Sequence, residues 1–417
     1  MTKLYFKTIL MTIAIVMLCS PARAADSKAT LKPILLGMSA AFTGPSRGLG
    51  IEVFRGSQAY FDQVNAAGGI LGHKVVIKYY DDGYNPLPAI RNTIKLIERD
   101  NVLCLFNYVG TPTVTRVLPV IKHFNANRPV FLFFPFTGAQ PQREFPYEEY
   151  VFNLRASYRQ ETWGLVHNLL EIGRKRIAVL YQADAYGRSG WDGIRTALNK
   201  NDLKIVAEAT YKRGANFKES MNRQVEILSE AKPDAIIIVG AYAASAAFIR
   251  DARDAGLNIP ICNLSFVGSE NMLQHLSDHE TKTGKNYTEN LINSQTVPSY
   301  EDTSLSAVRD YRKVMTETPP APPEGFGKGY KPLQFSFISF EGYLTAKVMT
   351  EVIERMMLRE HYGSLYAATL SIRNLNIGIG TDINFGRGKH QGLDKIYYTT
   401  VSDDKFVPLI NWKRWSK

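Results

Sequence analysis

The sequence predicts an α/β protein of two successive doubly wound parallel-sheet units. Three observations carry this. Short β-rich apolar runs alternate with amphipathic segments of helical period, and the alternation starts afresh near residue 160. At 417 residues, 45% hydrophobic and 21% charged, the chain is too long for one ordinary domain and apolar enough for two cores. Strands alternating with helices bury themselves as a parallel sheet covered on both faces.

Taken in order, 34–38, 75–79, 102–106 and 130–134 read as buried strands. Between them, 51–65 places Ile51, Phe54, Phe61 and Val64 near helical spacing and runs out at Gly68-Gly69, as helices commonly do. Segments 88–100 and 113–124 give two further helices. The second unit reads as helix 161–172, strand 177–181, helix 189–199, strand 203–207, helix 217–231, strand 235–239 and helix 243–255. Segment 316–331, rich in Pro and Gly, is a surface loop. A long helix over 339–360 and a strand pair near 395–401 and 406–410 complete the chain.

The first residues read as an address. Lys3 and Lys7 precede a short apolar run over 9–18, and Ala22-Arg23-Ala24 supplies a small-x-small cleavage site. The run is shorter than the roughly 20 residues needed to span a bilayer. Leu18 stands before Cys19 where a lipoprotein needs a small residue, so residues 1–24 are expected to be a cleaved signal peptide, with export to the periplasm. The formal charge of +11 falls to +8 without Lys3, Lys7 and Arg23. Arg174-Lys175-Arg176 is the longest basic run, which points to a solvated surface and away from nucleic acid. Cys104 lies in a buried strand-like run and Cys262 beyond a different, distant strand, giving a disulfide little support.

The sequence lacks the common signatures of catalysis. The chain has no G-x-S-x-G elbow, Walker loop or H-E-x-x-H, and Gly48-Leu49-Gly50 meets Val53 where a dinucleotide fingerprint needs a third glycine. His275 and His279 share a helix face without a third ligand, and read as part of a polar surface helix. Asp81 and Asp82, adjacent on a strand end, point to opposite faces and do not form an acid/base pair. No enzyme activity, cofactor or metal is expected.

What the sequence offers instead is polar chemistry at strand ends: 42–48 after the first strand, 107–113 after the third and 135–138 after the fourth. Ligands of open α/β sheets bind outside the carboxyl ends of the strands, where helix N-termini favour a carboxylate. Thr111, Thr113 and Thr137 add hydroxyls, and Gly110 and Gly138 let backbone come close.

Residues 42–56, the run Phe61-Asp62-Gln63-Val64-Asn65-Ala66-Ala67-Gly68-Gly69-Ile70-Leu71-Gly72, Tyr80-Asp81-Asp82, Asp184-Ala185-Tyr186-Gly187 and Gly240-Ala241-Tyr242 resemble the branched-chain amino-acid-binding (Leu/Ile/Val-binding) family of the type I periplasmic binding fold. The resemblance implies two lobes joined by crossing hinge segments: lobe one from 25–155 plus 298–378, lobe two from 156–297 plus 379–417. It implies a substrate-binding protein of an ABC importer, a monomer that clamps a small ligand and docks on a membrane ABC permease. The alternative is a sensor passing occupancy to a membrane receptor.

The resemblance also implies the site. Thr111 takes the ligand carboxylate with Gly110, Phe136, Thr137 and Gly138 around it, and Tyr186 and Tyr242 close from lobe two. Ser265 stands where the family usually has an acid for the ligand's α-amine, and a serine cannot give an ammonium its charge-assisted bond. Asp184 is a possible substitute. Phe42, Tyr108, Phe136 and Phe266 on the cleft loops suit an apolar or aromatic ligand body, if half of them point inward.

Overall fold

The computed structural model describes residues 31–358 and 363–417. The expected signal peptide, its Cys19 and the cleavage site fall outside the described residues, as do the last two positions of the helix expected to reach 360.

The first lobe alternates β1 (Ile34–Ala40), α1 (Arg47–Ala66), β2 (Val75–Asp81), α2 (Pro86–Glu98), β3 (Cys104–Phe106), α3 (Thr111–Asn125), β4 (Leu132–Phe133) and β5 (Val151–Phe152). Its sheet has the order β2-β1-β3-β4-β5, every pair parallel. The second lobe continues with α4 (Tyr158–Glu171), β6 (Ile177–Gln182), α5 (Ala185–Asn199), β7 (Glu208–Tyr211), α6 (Asn222–Glu230), β8 (Ala235–Val239), α7 (Tyr242–Asp254), β9 (Ile261–Asn263), α8 (Ser269–Thr283) and β10 (Leu291–Gln295). The chain then runs through α9 (Ser306–Glu317), α10 (Phe337–Met357), α11 (Leu365–Leu370) and the small ribbon β11 (Leu375–Asn376) and β12 (Asp382–Ile383). It ends in β13 (Tyr397–Ser402) and β14 (Lys405–Pro408), an antiparallel hairpin that extends the parallel strands of the second sheet to the order β14-β13-β10-β9-β8-β6-β7.

α10 packs on α1 at backbone distance. A Cβ at Gly56 would lie 1.8 Å from the Ser339 carbonyl oxygen, so glycine is required there. Between the lobes, the stretches after β5 and before β13 run side by side: Asn153 N donates to His390 O at 2.7 Å and Leu393 N to Leu154 O at 2.8 Å.

Two expected elements are displaced. The strand expected at 203–207 starts at Glu208, where pairing with β6 begins at Val179; Leu203, Ile205 and Val206 pack as its lead-in. The helix expected from 217 starts at Asn222, because Arg250 takes the carbonyls of Phe217 and Glu219 and Phe217 stacks on His275. Both described cysteines, Cys104 and Cys262, are buried and unbonded.

Candidate ligand-binding cleft

The first wall of the cleft is the N-terminus of α3. Gly110 caps it at φ 102°, and a Cβ there would sit 2.1 Å from the Tyr84 ring, so Tyr84 lies flush on the backbone. Thr111, the first helical residue, brings its hydroxyl within 2.6 Å of the Thr137 hydroxyl. The two loops are tied by Phe136 N to Tyr108 O at 2.7 Å and Gly110 N to Phe136 O at 3.2 Å. Gly138 is met in the same way by Tyr158, whose ring atom Cδ1 would be 2.6 Å from an added Cβ. Thr113 is turned away and donates to the carbonyls of Val109 and Gly110.

Lobe two closes this wall with rings. Tyr158 starts α4 and packs on Tyr186 with centroids 5.2 Å apart, Tyr186 on Phe266 at 4.6 Å, and Phe266 on Phe136 at 5.5 Å and Tyr84 at 6.0 Å. Burial pushes the Tyr158 and Tyr186 phenols above their usual range, so both stay neutral. Of the four loop aromatics, Phe136 and Phe266 face the cleft. Phe42 packs against Phe54, Tyr79 and Phe326, and Tyr108 lies in the lobe-one core beside Thr93.

Beneath the rings runs a buried charge network that sequence reasoning missed. Arg155, with its Cζ 4.3 Å from the Phe136 ring centroid, pairs through Nε with Glu341 of α10 at 3.0 Å. Its Nη2 reaches the Ser265 hydroxyl at 2.7 Å. Ser265 in turn donates its hydroxyl and its N–H to the Glu161 carboxylate at 3.0 and 2.8 Å, and Ser294 adds a third donor. Burial raises the Glu341 carboxyl while Arg155 pulls it down. Asp184 caps α5 at Tyr186 N and pairs with Arg213 at 3.2 Å. No motif marks Arg155, Glu161 or Glu341 as partners: Glu341 is 186 residues from Arg155 and meets it only where the lobes join.

The structure therefore brings Gly110, Thr111, Phe136, Thr137, Gly138 and Tyr186 to one place, with Ser265 beneath. Tyr242 stands elsewhere. Its hydroxyl accepts from Gly48 N of α1 at 3.1 Å, bridging the lobes, and its ring lines a separate inter-lobe cavity of about 360 Å³. Thr111, Thr137, Tyr158, Tyr186 and Phe266 are all buried.

Residues 33–405 match the periplasmic binding protein family. The chain belongs to that family. Members bind solutes and are not enzymes. A Leu/Ile/Val-binding protein homologue from Brucella melitensis is 26% identical over 232 residues, 55% of this chain and 61% of the relative; the match thus spans about three-fifths of that relative's length. A possible leucine/isoleucine/valine-binding protein from Rhodopirellula baltica superposes with a TM-score of 0.81 at 26% identity, over 94% of this chain and all of the other. A branched-chain amino acid ABC transporter protein from Thermus thermophilus with bound valine shares the fold at 17% identity and TM-score 0.77, over 91% and 96% of the two chains. No helix among the described residues is long and apolar enough to cross a membrane.

Proposed function

We propose that this protein is the periplasmic substrate-binding component of an ABC importer, taking a small carboxylate- or amide-bearing ligand with an apolar body between its lobes. One observation carries the reading: two hydroxyls 2.6 Å apart at the N-terminus of α3 face a cluster of rings contributed mainly by the other lobe. Helix N-termini favour anions, and rings favour apolar bodies. Thr111 and Thr137 hold the polar end, with Gly110, Phe136 and Gly138 shaping the wall; Tyr186 and Phe266 cover the apolar end.

The same geometry argues against an ammonium on the ligand. Glu161 is taken by Ser265 and Ser294, Glu341 by Arg155 and Thr296, and Asp184 by Arg213 and Gln182. Two of the three are paired with cations and Glu161 is covered by neutral donors beneath the rings, so deaminated acids or amides fit better than amino acids. The lobe boundaries, 25–155 plus 298–378 and 156–297 plus 379–417, are supported by the passages beside Asn153 and by β13 joining β10. Export by a cleaved leader, a monomeric state and a permease partner complete the proposal.

A thermal-shift screen tests it, because a ligand that binds only the folded form raises the melting temperature. Branched-chain and aromatic amino acids, their deaminated acids and short amides are compared on wild type and Thr111→Ala. Deaminated acids or amides should shift wild type and lose much of that shift in Thr111→Ala. A shift by amino acids alone refutes the ammonium argument, and an unchanged Thr111→Ala response refutes the site.

A further inference from the structure

The cavity at Tyr242 lies between the lobes, and none of Thr111, Thr137, Tyr186 or Phe266 lines it. We propose that it is a second small-molecule site, selective for a flat aromatic carboxylate. At about 360 Å³ it falls in the size range of small-ligand pockets.

One wall is a row of near-parallel rings on lobe two. Phe217 and His275 stack with centroids 5.1 Å apart and planes 12° apart, and His275 and Tyr242 follow at 5.8 Å and 19°. Burial lowers the His275 pKa, so the row is neutral at neutral pH and offers apolar, aromatic contact. The facing wall belongs to lobe one and carries Arg47 and Lys331 against a single lining carboxylate, Asp278. Arg47 is held in place: it donates to Lys328 O at 3.1 Å and to Gly329 O, and its Cζ lies 5.6 Å from the Tyr330 ring centroid. Carbonyl partners fix a guanidinium without neutralising it, so its charge remains for an anion.

A further observation points to a ligand with a donor. Asn271, 8% exposed, gives its amide N–H to the Tyr330 hydroxyl at 3.2 Å, while its Oδ1 has no partner among the described residues. Buried amide oxygens are normally satisfied, and a ring N–H or O–H would satisfy this one. The charge surplus, the ring row and the free acceptor together describe a planar aromatic acid bearing one donor. Because the walls come from different lobes, an occupant would also favour the closed form.

Indole-3-acetate has this chemistry and serves as the probe in calorimetric titrations of the mature protein. Indole-3-ethanol lacks the charge and cyclohexylacetate lacks the flat ring. Indole-3-acetate should bind, and each control should bind about tenfold more weakly, as loss of one well-placed interaction implies. Arg47→Gln and Phe217→Leu should weaken it by a similar factor. Lys331→Gln, at an exposed position that carries no folding risk, should weaken it by about threefold. Thr137→Val should leave it unchanged. Absence of binding, or binding indifferent to Arg47→Gln and Lys331→Gln, overturns the proposal. Binding lost in Thr137→Val but kept in those variants would place the probe at the inner hydroxyls, ending this inference while supporting the cleft reading above.

Discussion

Asp81 and Asp82 are neighbours with opposite fates. Asp81 accepts from the N–H groups of Phe42, Thr43 and Gly83 at the loop surface, whereas Asp82 is buried with Ser39 and Tyr84 N as its donors. Burial, the dominant cause, raises the Asp82 carboxyl to about 7. A carboxyl raised in the folded state holds a proton that the unfolded chain has lost, so it lowers stability as pH rises from about 4 to 7. Asp82→Asn should flatten that part of the curve by up to about 1.4 kcal/mol per pH unit, read from urea melts across the range; an unaltered slope would refute the assignment. That the two carboxyls face opposite ways was legible from strand geometry. Arg155 was not, since nothing around it in sequence names Glu341. Arg155→Met should cost about 3–5 kcal/mol by leaving Glu341 buried without its cation, and adding Glu341→Leu should recover most of it. No recovery in the double variant would mean that Arg155 acts by packing on Phe136.

At the scale of elements, buried strands were legible because an apolar run bounded by turns has few other uses: 235–239 reads directly as β8. Edges were harder. Among the described residues β7 pairs only with β6, so its bounds depend on where that ladder begins and not on its own apolar residues. α9 went unread although Ala307, Val308, Tyr311, Val314 and Met315 are its buried positions; the spacing is helical, but the surrounding charges and the following Pro/Gly loop concealed it. The closeness of α1 to α10 is likewise a contact between elements some 280 residues apart, marked in sequence by Gly56 and Gly342 alone of its contacts, where an added Cβ would meet the other helix's backbone. Gly56→Ala should cost about 3 kcal/mol by overpacking, since its new methyl meets the Ser339 carbonyl and backbone cannot turn aside. A loss below about 0.5 kcal/mol in denaturant melts, the scale of an ordinary surface change, would show that the two helices can slide apart freely.

For the whole molecule the decisive contacts are those between lobes, and one of them titrates. Glu270, at the start of α8 in lobe two, accepts from Phe337 N at the start of α10 at 3.3 Å. Its carboxyl is raised from 4.5 to about 7, chiefly by burial, with Glu52 adding repulsion and Phe337 N and Tyr300 opposing it. Parting the lobes would return Glu270 to water and its pKa towards 4.5, so the closed form binds the proton more tightly than the open one. Linkage then fixes the sign: closure is favoured on the acid side and weakens as pH rises from about 4.5 through 7. Small-angle scattering of the ligand-free protein should show a larger radius of gyration at pH 7.5 than at 5.5. Glu270→Gln keeps the acceptor and removes the charge, so its radius should not change with pH and should match the wild-type value at pH 5.5. A pH-dependent expansion that persists in Glu270→Gln would assign the opening to other groups and leave Glu270 a purely structural acid.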